Sequence, residues 1–143
     1  METTNINIQD YLPHREPMLM VDAILELCHE KVITTFKIHE NNIFLRHNQL
    51  QESGLVENMA QTCSSIVGQS FFENDNATKI IGFITSIKKI NIFSLPNLGT
   101  EIITKATLVS QYENICNVSC ETFCNDELLG NAEINLFIQE IQS

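Results

Sequence analysis

The chain has 143 residues, 43% of them apolar and 18% charged, and a net charge of −10. That length and balance suit one globular domain with a substantial core, not a disordered chain. Neutralising phosphates takes a basic patch, so the acidity, with no Lys or Arg after Lys105, argues against nucleic acid or an anionic membrane as partner.

Taken in chain order, the opening METTNINIQD has neither the basic nor the apolar region of an export signal, and no apolar run approaches membrane-spanning length. Five cysteines without such a signal read as reduced intracellular thiols, so the expected compartment is the cytoplasm. DYLPHREP, punctuated by proline, predicts a short helical turn and then extended chain. MLMVDAILEL reads as a buried strand. KVITTFKIH reads as a half-exposed one, with Val32, Phe36 and Ile38 on one face and Lys31, Thr35 and Lys37 on the other. A loop, ENNIFLRHNQLQES, leads into the one long helix, expected over 54–72 and closed by the turn formers ENDNAT.

Strands follow: KIIGFITSIKKINIF, the turn SLPNLGT, TEIITKATLVSQ, NICNVSCETFC and LLGNAEINLFI. In NICNVSCETFC, period two puts Cys116, Val118, Cys120, Thr122 and Cys124 on one face; in LLGNAEINLFI it aligns Ala132, Ile134, Leu136 and Ile138. The CNDELL segment between them predicts a hairpin. The order specifies a single α+β domain over 1–143, an antiparallel sheet wrapped around one helix.

Within that helix Glu57 is the puzzle. Leu55, Val56, Met59, Ala60, Cys63, Ile66 and Val67 recur at helical spacing, while Gln61, Ser64, Ser65 and Gly68 are small or polar. Two readings of Glu57 stay open. It is a first-turn acid placed for the helix dipole, or a desolvated carboxyl that can donate a proton. In the second reading the N–H groups around Gly54 and Leu55 are free to hold a developing oxyanion, and glycine allows a substrate carbonyl to approach. A partner base is available in His47, in FLRHNQL, which reads equally well as a surface loop residue. His14 and His39 read as structural or solvent-exposed, and His29 beside Glu30 as part of a turn. The thiols at 116, 120 and 124 suit core packing better than metal ligation.

YLPHREPMLMVD resembles the opening of the hotdog-fold 3-hydroxyacyl-[acyl carrier protein] dehydratases, and ENMAQ resembles their E-x-M-A-Q helix signature. FSLPNLGTEI resembles their Pro- and Gly-containing turn between two strands. The three matches come in the family's order and span most of the chain. The resemblance implies a hotdog fold, dimers joined through a continuous sheet, and active sites at the dimer interface. It implies loss of water from a 3-hydroxyacyl thioester to give the trans-2-enoyl product, with no metal or redox cofactor. In that scheme a His removes the α-proton, Glu57 protonates the leaving hydroxyl, and Gly54, Leu55 and Gln61 line the substrate site. The family's G-H-F-P-x2-P-x2-P-G-V segment is absent: LRHNQLQESGLV stands there, with His47 ten residues ahead of Glu57 instead of fourteen. This places the chain nearer the divergent dehydratase-like subunits of aryl-polyene and polyketide pathways.

The implied partner is acyl carrier protein, itself acidic, so contact falls to Arg46, Lys88 and Lys89, with Arg15 a further candidate; lysines on a strand equally protect a sheet edge. The implied assembly is a homodimer or higher oligomer, or a heterodimer with another hotdog subunit. Two other functions remain in view: a non-catalytic or partner-dependent subunit that binds acyl carrier protein, and an acyl thioesterase.

Overall fold

The computed structural model describes residues 7–12, 14–74 and 78–142, with residues 10, 67–74, 78–81 and 140–142 described by backbone alone. After a 3-10 turn at Ile8–Asp10, strands β1 (Ala23–Cys28) and β2 (Lys31–Lys37) form a hairpin. A two-residue-strand hairpin, β3 (Leu45–Arg46) and β4 (Gln49–Leu50), then feeds helix α1 (Glu52–Asn74). Four long strands complete the chain: β5 (Thr78–Ile92), β6 (Glu101–Tyr112), β7 (Ile115–Cys124) and β8 (Glu127–Gln142). They join β1 and β2 in one antiparallel sheet of order β1-β2-β6-β7-β8-β5, which wraps α1 as the hotdog architecture requires.

Period-two patterning explains the sheet's inner face. In β7, Cys116, Val118, Cys120 and Thr122 are buried, and in β8 Ala132, Ile134 and Leu136 are buried opposite them. Met59, Ala60, Cys63 and Ile66 of α1 join them in one core cluster. Full burial of a large apolar side chain such as Met59 or Ile134 stabilises by about 1.5–3 kcal/mol. The β7–β8 hairpin closes through Asn125 and Asp126, both at positive φ (50° and 69°), the backbone of a two-residue type I′ turn that Asn and Asp tolerate.

The structure differs from the sequence expectations at residues 18–22, ahead of the helix, and in β2, where Thr35, expected on the exposed face, is buried with the rest of 32–36. Residues 18–22 lie outside β1: Met18 and Leu19 close a turn onto Arg15 O, and side chains of α1 hold the backbone of Met18 and Met20 in place of a neighbouring strand. The segment before the helix contains the β3–β4 hairpin, and α1 begins at Glu52, two residues earlier than the pattern suggests. The expected turn ENDNAT falls partly on residues 75–77, outside the described residues, as does the side chain of Val67.

The polar half of α1 is also buried. Asn58, Gln61, Thr62 and Ser65 recur at helical spacing and are at most 1% exposed. They form a hydrogen-bonded seam instead of a wet face. Thr62 Oγ1 lies 2.8 Å from Thr34 Oγ1, and Thr104 donates to Asn58 Oδ1 at 2.6 Å while meeting Thr122 at 2.8 Å. Such pairing offsets the cost of burying polar groups.

Candidate active site

The site is assembled from three segments around the second turn of α1. Glu57 is the sixth residue of the helix, beyond the first turn in which the dipole acts most strongly. Its side chain is 31% exposed, and Oε2 accepts a hydrogen bond from Gln61 Nε2 at 2.8 Å, one turn along. The same Gln61 nitrogen donates to Met18 O at 2.7 Å, and Gln61 Oε1 accepts from Met20 N at 2.7 Å. Asn58 Nδ2 donates to Met20 O, also at 2.7 Å. Two helix amides therefore grip the backbone of residues 18–20 as a neighbouring strand would.

That grip draws the proline-rich opening across the helix and brings His14 to Glu57, with Nε2 3.9 Å from Oε2 and the imidazole also 31% exposed. The Arg15 guanidinium folds back onto the carbonyls of Leu12 (2.9 Å) and His14 (2.8 Å), fixing the local chain path. Burial pulls the His14 pKa below its ordinary value; Glu57 opposes that shift and Arg15 adds to it. His14 Nδ1 is buried without a hydrogen-bond partner among the described residues.

His47 sits elsewhere. It and Asn48 form the two-residue tip between β3 and β4, at φ 54° and 63°, and both are exposed. Histidine and asparagine are among the residues that best tolerate that backbone region, so the turn itself accounts for the residue type. The hairpin is pinned from both sides. Leu50 N donates to Pro96 O and Leu98 N to Asn48 O, and Gln51 Nε2 caps the carbonyls of Arg46 and Gln49. The LPNLGT turn thus braces the hairpin that launches the helix.

Gly54 and Leu55 are buried at the start of α1, and both donate their N–H groups to Gln51 O. A Cβ on Gly54 would stand 2.7 Å from Leu50 Cδ1 and 2.8 Å from Phe44 Cβ, so close packing of helix on hairpin calls for glycine here. Gln61 is 1% exposed with its whole amide engaged inside the chain. Arg46, Lys88 and Lys89 are exposed; Lys89 lies 3.5 Å from Glu133 across the β5–β8 pair. Cys116 and Cys120 lie in the core and Cys124 at its margin, and Cys63 packs against Cys120, which with burial pushes the Cys63 thiol pKa up.

Sequence reading missed His14. Its signal was the LPHR opening, but only the Asn58 and Gln61 contacts to residues 18–20 show where that opening goes.

Residues 6–143 match the model of the ApeP-like family, described as ApeP dehydratase. The chain belongs to this family. Among curated relatives, the 3-hydroxyacyl-[acyl-carrier-protein] dehydratase FabZ of Psychrobacter arcticus is 29% identical over 149 residues, covering 98% of this chain and 99% of the relative. FabZ of Lawsonia intracellularis is 27% identical over 135 residues, covering 88% of each. Among solved structures, the dehydratase heterocomplex ApeI:P from Xenorhabdus doucetiae aligns with a TM-score of 0.84 at 19% identity, over 92% of this chain and 90% of that one. A hypothetical thioesterase with coenzyme A from Streptococcus pneumoniae gives 0.67 at 16% identity, over 84% and 87%. At these identities the structural likeness carries the fold alone. The resemblance to a divergent dehydratase branch is met by the family match, and the hotdog fold by both structures.

Proposed function

We propose that this chain removes water from 3-hydroxyacyl thioesters carried on acyl carrier protein, giving trans-2-enoyl thioesters in fatty-acid or polyketide-type biosynthesis in the cytoplasm. It is a hydro-lyase of the dehydratase family, with Glu57 as the acid that protonates the departing hydroxyl. The observation that carries the reading is the Glu57 carboxyl itself. It is half-buried and held at one oxygen by Gln61, in the E-x-M-A-Q position of a dehydratase-family helix. Proton donation by a positioned side chain contributes typically about 10²–10⁴-fold.

Glu57→Gln keeps the shape and an acceptor for Gln61 while removing the acid. It is expected to lower enoyl-thioester formation by about 100-fold or more with an unchanged melting curve. Wild-type turnover in that variant refutes the assignment. Release of free thiol in place of enoyl product would identify a thioesterase instead.

A partner-dependent subunit is the second reading. Strand β5 is a sheet edge, paired among the described residues only with β8; it exposes Phe83, Ile84, Ile87 and Ile90, and Phe93 is exposed just beyond its end. A long apolar edge calls for another chain, and the Xenorhabdus dehydratase neighbour is a heterocomplex. We take the occupant to be a second hotdog chain, either a copy of this one or a relative. Arg46, Lys88 and Lys89 are the proposed contacts for the acidic carrier, since among the described side chains they are the exposed cations on the hairpin and on β5.

A further inference from the structure

We propose that His14, from the proline-rich opening segment, is the base that removes the α-proton in this chain. The inference rests on the dehydratase reading above and deepens it. Elimination of water breaks bonds on adjacent carbons, so acid and base must converge on one small volume. His14 Nε2 and Glu57 Oε2, 3.9 Å apart and each 31% exposed, do so. Their separation exceeds a hydrogen bond, yet a hydroxyl or water bonded to both spans it.

Two further observations set His14 apart from an idle surface ion pair. A buried nitrogen lacking a partner costs about 1–3 kcal/mol, and such exceptions are kept where a ligand or solvent completes them. Among the described residues His14 Nδ1 is in that position, and the neighbouring Arg15 guanidinium acts only as a donor and is committed to backbone carbonyls. The segment is also anchored on both sides of the imidazole, by Arg15 locally and by Asn58 and Gln61 at residues 18–20. Gln61 touches Glu57 with the nitrogen that holds Met18, so one side chain sets the acid against the segment that carries the base. The depressed His14 pKa leaves the imidazole neutral at neutral pH, the form that accepts a proton.

The step balances. Neutral His14 takes the proton from C2, and the electrons of the C2–H bond form the C2–C3 double bond. The C3–O bond breaks, and the hydroxyl leaves as water with the proton of Glu57 in its acid form. The imidazolium and carboxylate so formed face each other at the site, and return of the proton from His14 to Glu57 resets both.

The test compares wild type, His14→Asn, His14→Ala, His47→Ala and Glu57→Gln on a 3-hydroxyacyl thioester of phosphopantetheinylated acyl carrier protein. Enoyl formation and exchange of the α-proton with D2O are followed, and each variant is checked by thermal melt. The expected result is a loss of about 100-fold or more in kcat and in α-proton exchange for His14→Asn, with little change in KM. Partial rescue of His14→Ala by added imidazole is also expected, which a merely structural residue would not show. Turnover and exchange near wild type in His14→Asn, with Glu57→Gln dead, overturn the role of His14 and leave the dehydratase reading standing. Loss confined to His47→Ala hands the base to that residue and overturns it as well. A wild-type chain that forms no enoyl product overturns both.

Discussion

Gln61→Leu separates a residue that touches substrate from one that holds the site together. Leucine fills nearly the same space, so the change removes polar contacts without opening a cavity. Three groups lose a partner: Met20 N, Met18 O and Glu57 Oε2. Met20 is fully buried, so its N–H bears the full penalty, about 1–3 kcal/mol. Met18 is 42% exposed and Glu57 half-buried, so water can replace most of what they lose. The sum stays near the Met20 term, and at about 2–4 °C per kcal/mol for a chain of this size the melting temperature should fall by roughly 2–12 °C. Turnover should fall with it even well below the melting point, because Glu57 loses its donor and the segment carrying His14 loses two of its three ties to helix amides. The assay is a thermal melt paired with kcat and KM on the same preparation. A raised KM at unchanged melting temperature would mean that Gln61 meets substrate, and would refute the clamp.

Gly54→Ala forces a methyl against Leu50 and Phe44, and should destabilise by about 1–3 kcal/mol, read from the denaturant midpoint. His14 binds protons less readily folded than unfolded, so its contribution to stability is full above histidine's ordinary pKa, about 6.5, and is lost as pH falls through the folded value. Glu57→Gln removes the influence that raises the His14 pKa, so an NMR titration should find it lower still in that variant. Ile90→Asp puts a charge on the exposed β5 edge and should weaken self-association, or association with a hotdog partner, about tenfold or more by sedimentation.

Much of the fold was legible because the strands after the helix obey period two with few exceptions. The faces of Cys116 to Thr122 and of Ala132 to Leu136 follow directly from alternation. Asn125 and Asp126 marked their hairpin because both residues suit the left-handed backbone. The β3–β4 hairpin was hidden for the opposite reason. Its strands are two residues long, too short for a period, and His47 and Asn48 lack the glycine that advertises such a turn. The destination of LPHR was hidden too, since backbone gripped by side-chain amides leaves no periodic trace in the gripped segment, and the spacing of Asn58 and Gln61 on the helix does not say what they hold.

The helix start bears on why Glu57 is where it is. Read as beginning at Gly54, the helix offers two accounts of the acid, one electrostatic and one chemical. With Glu52 as its first residue, the acid that suits the dipole is Glu52, in the first turn, and Glu57 lies beyond that turn. The N–H groups of Gly54 and Leu55 are also spent on Gln51 O. What holds the Glu57 carboxyl is Gln61 and the approach of His14, both of them consequences of the opening segment crossing the helix. An acid placed for the dipole would need neither. The two accounts therefore part at a measurable point: breaking the Gln61 clamp leaves the helix start intact, so a dipole acid is untouched by it, whereas a catalytic acid loses its geometry.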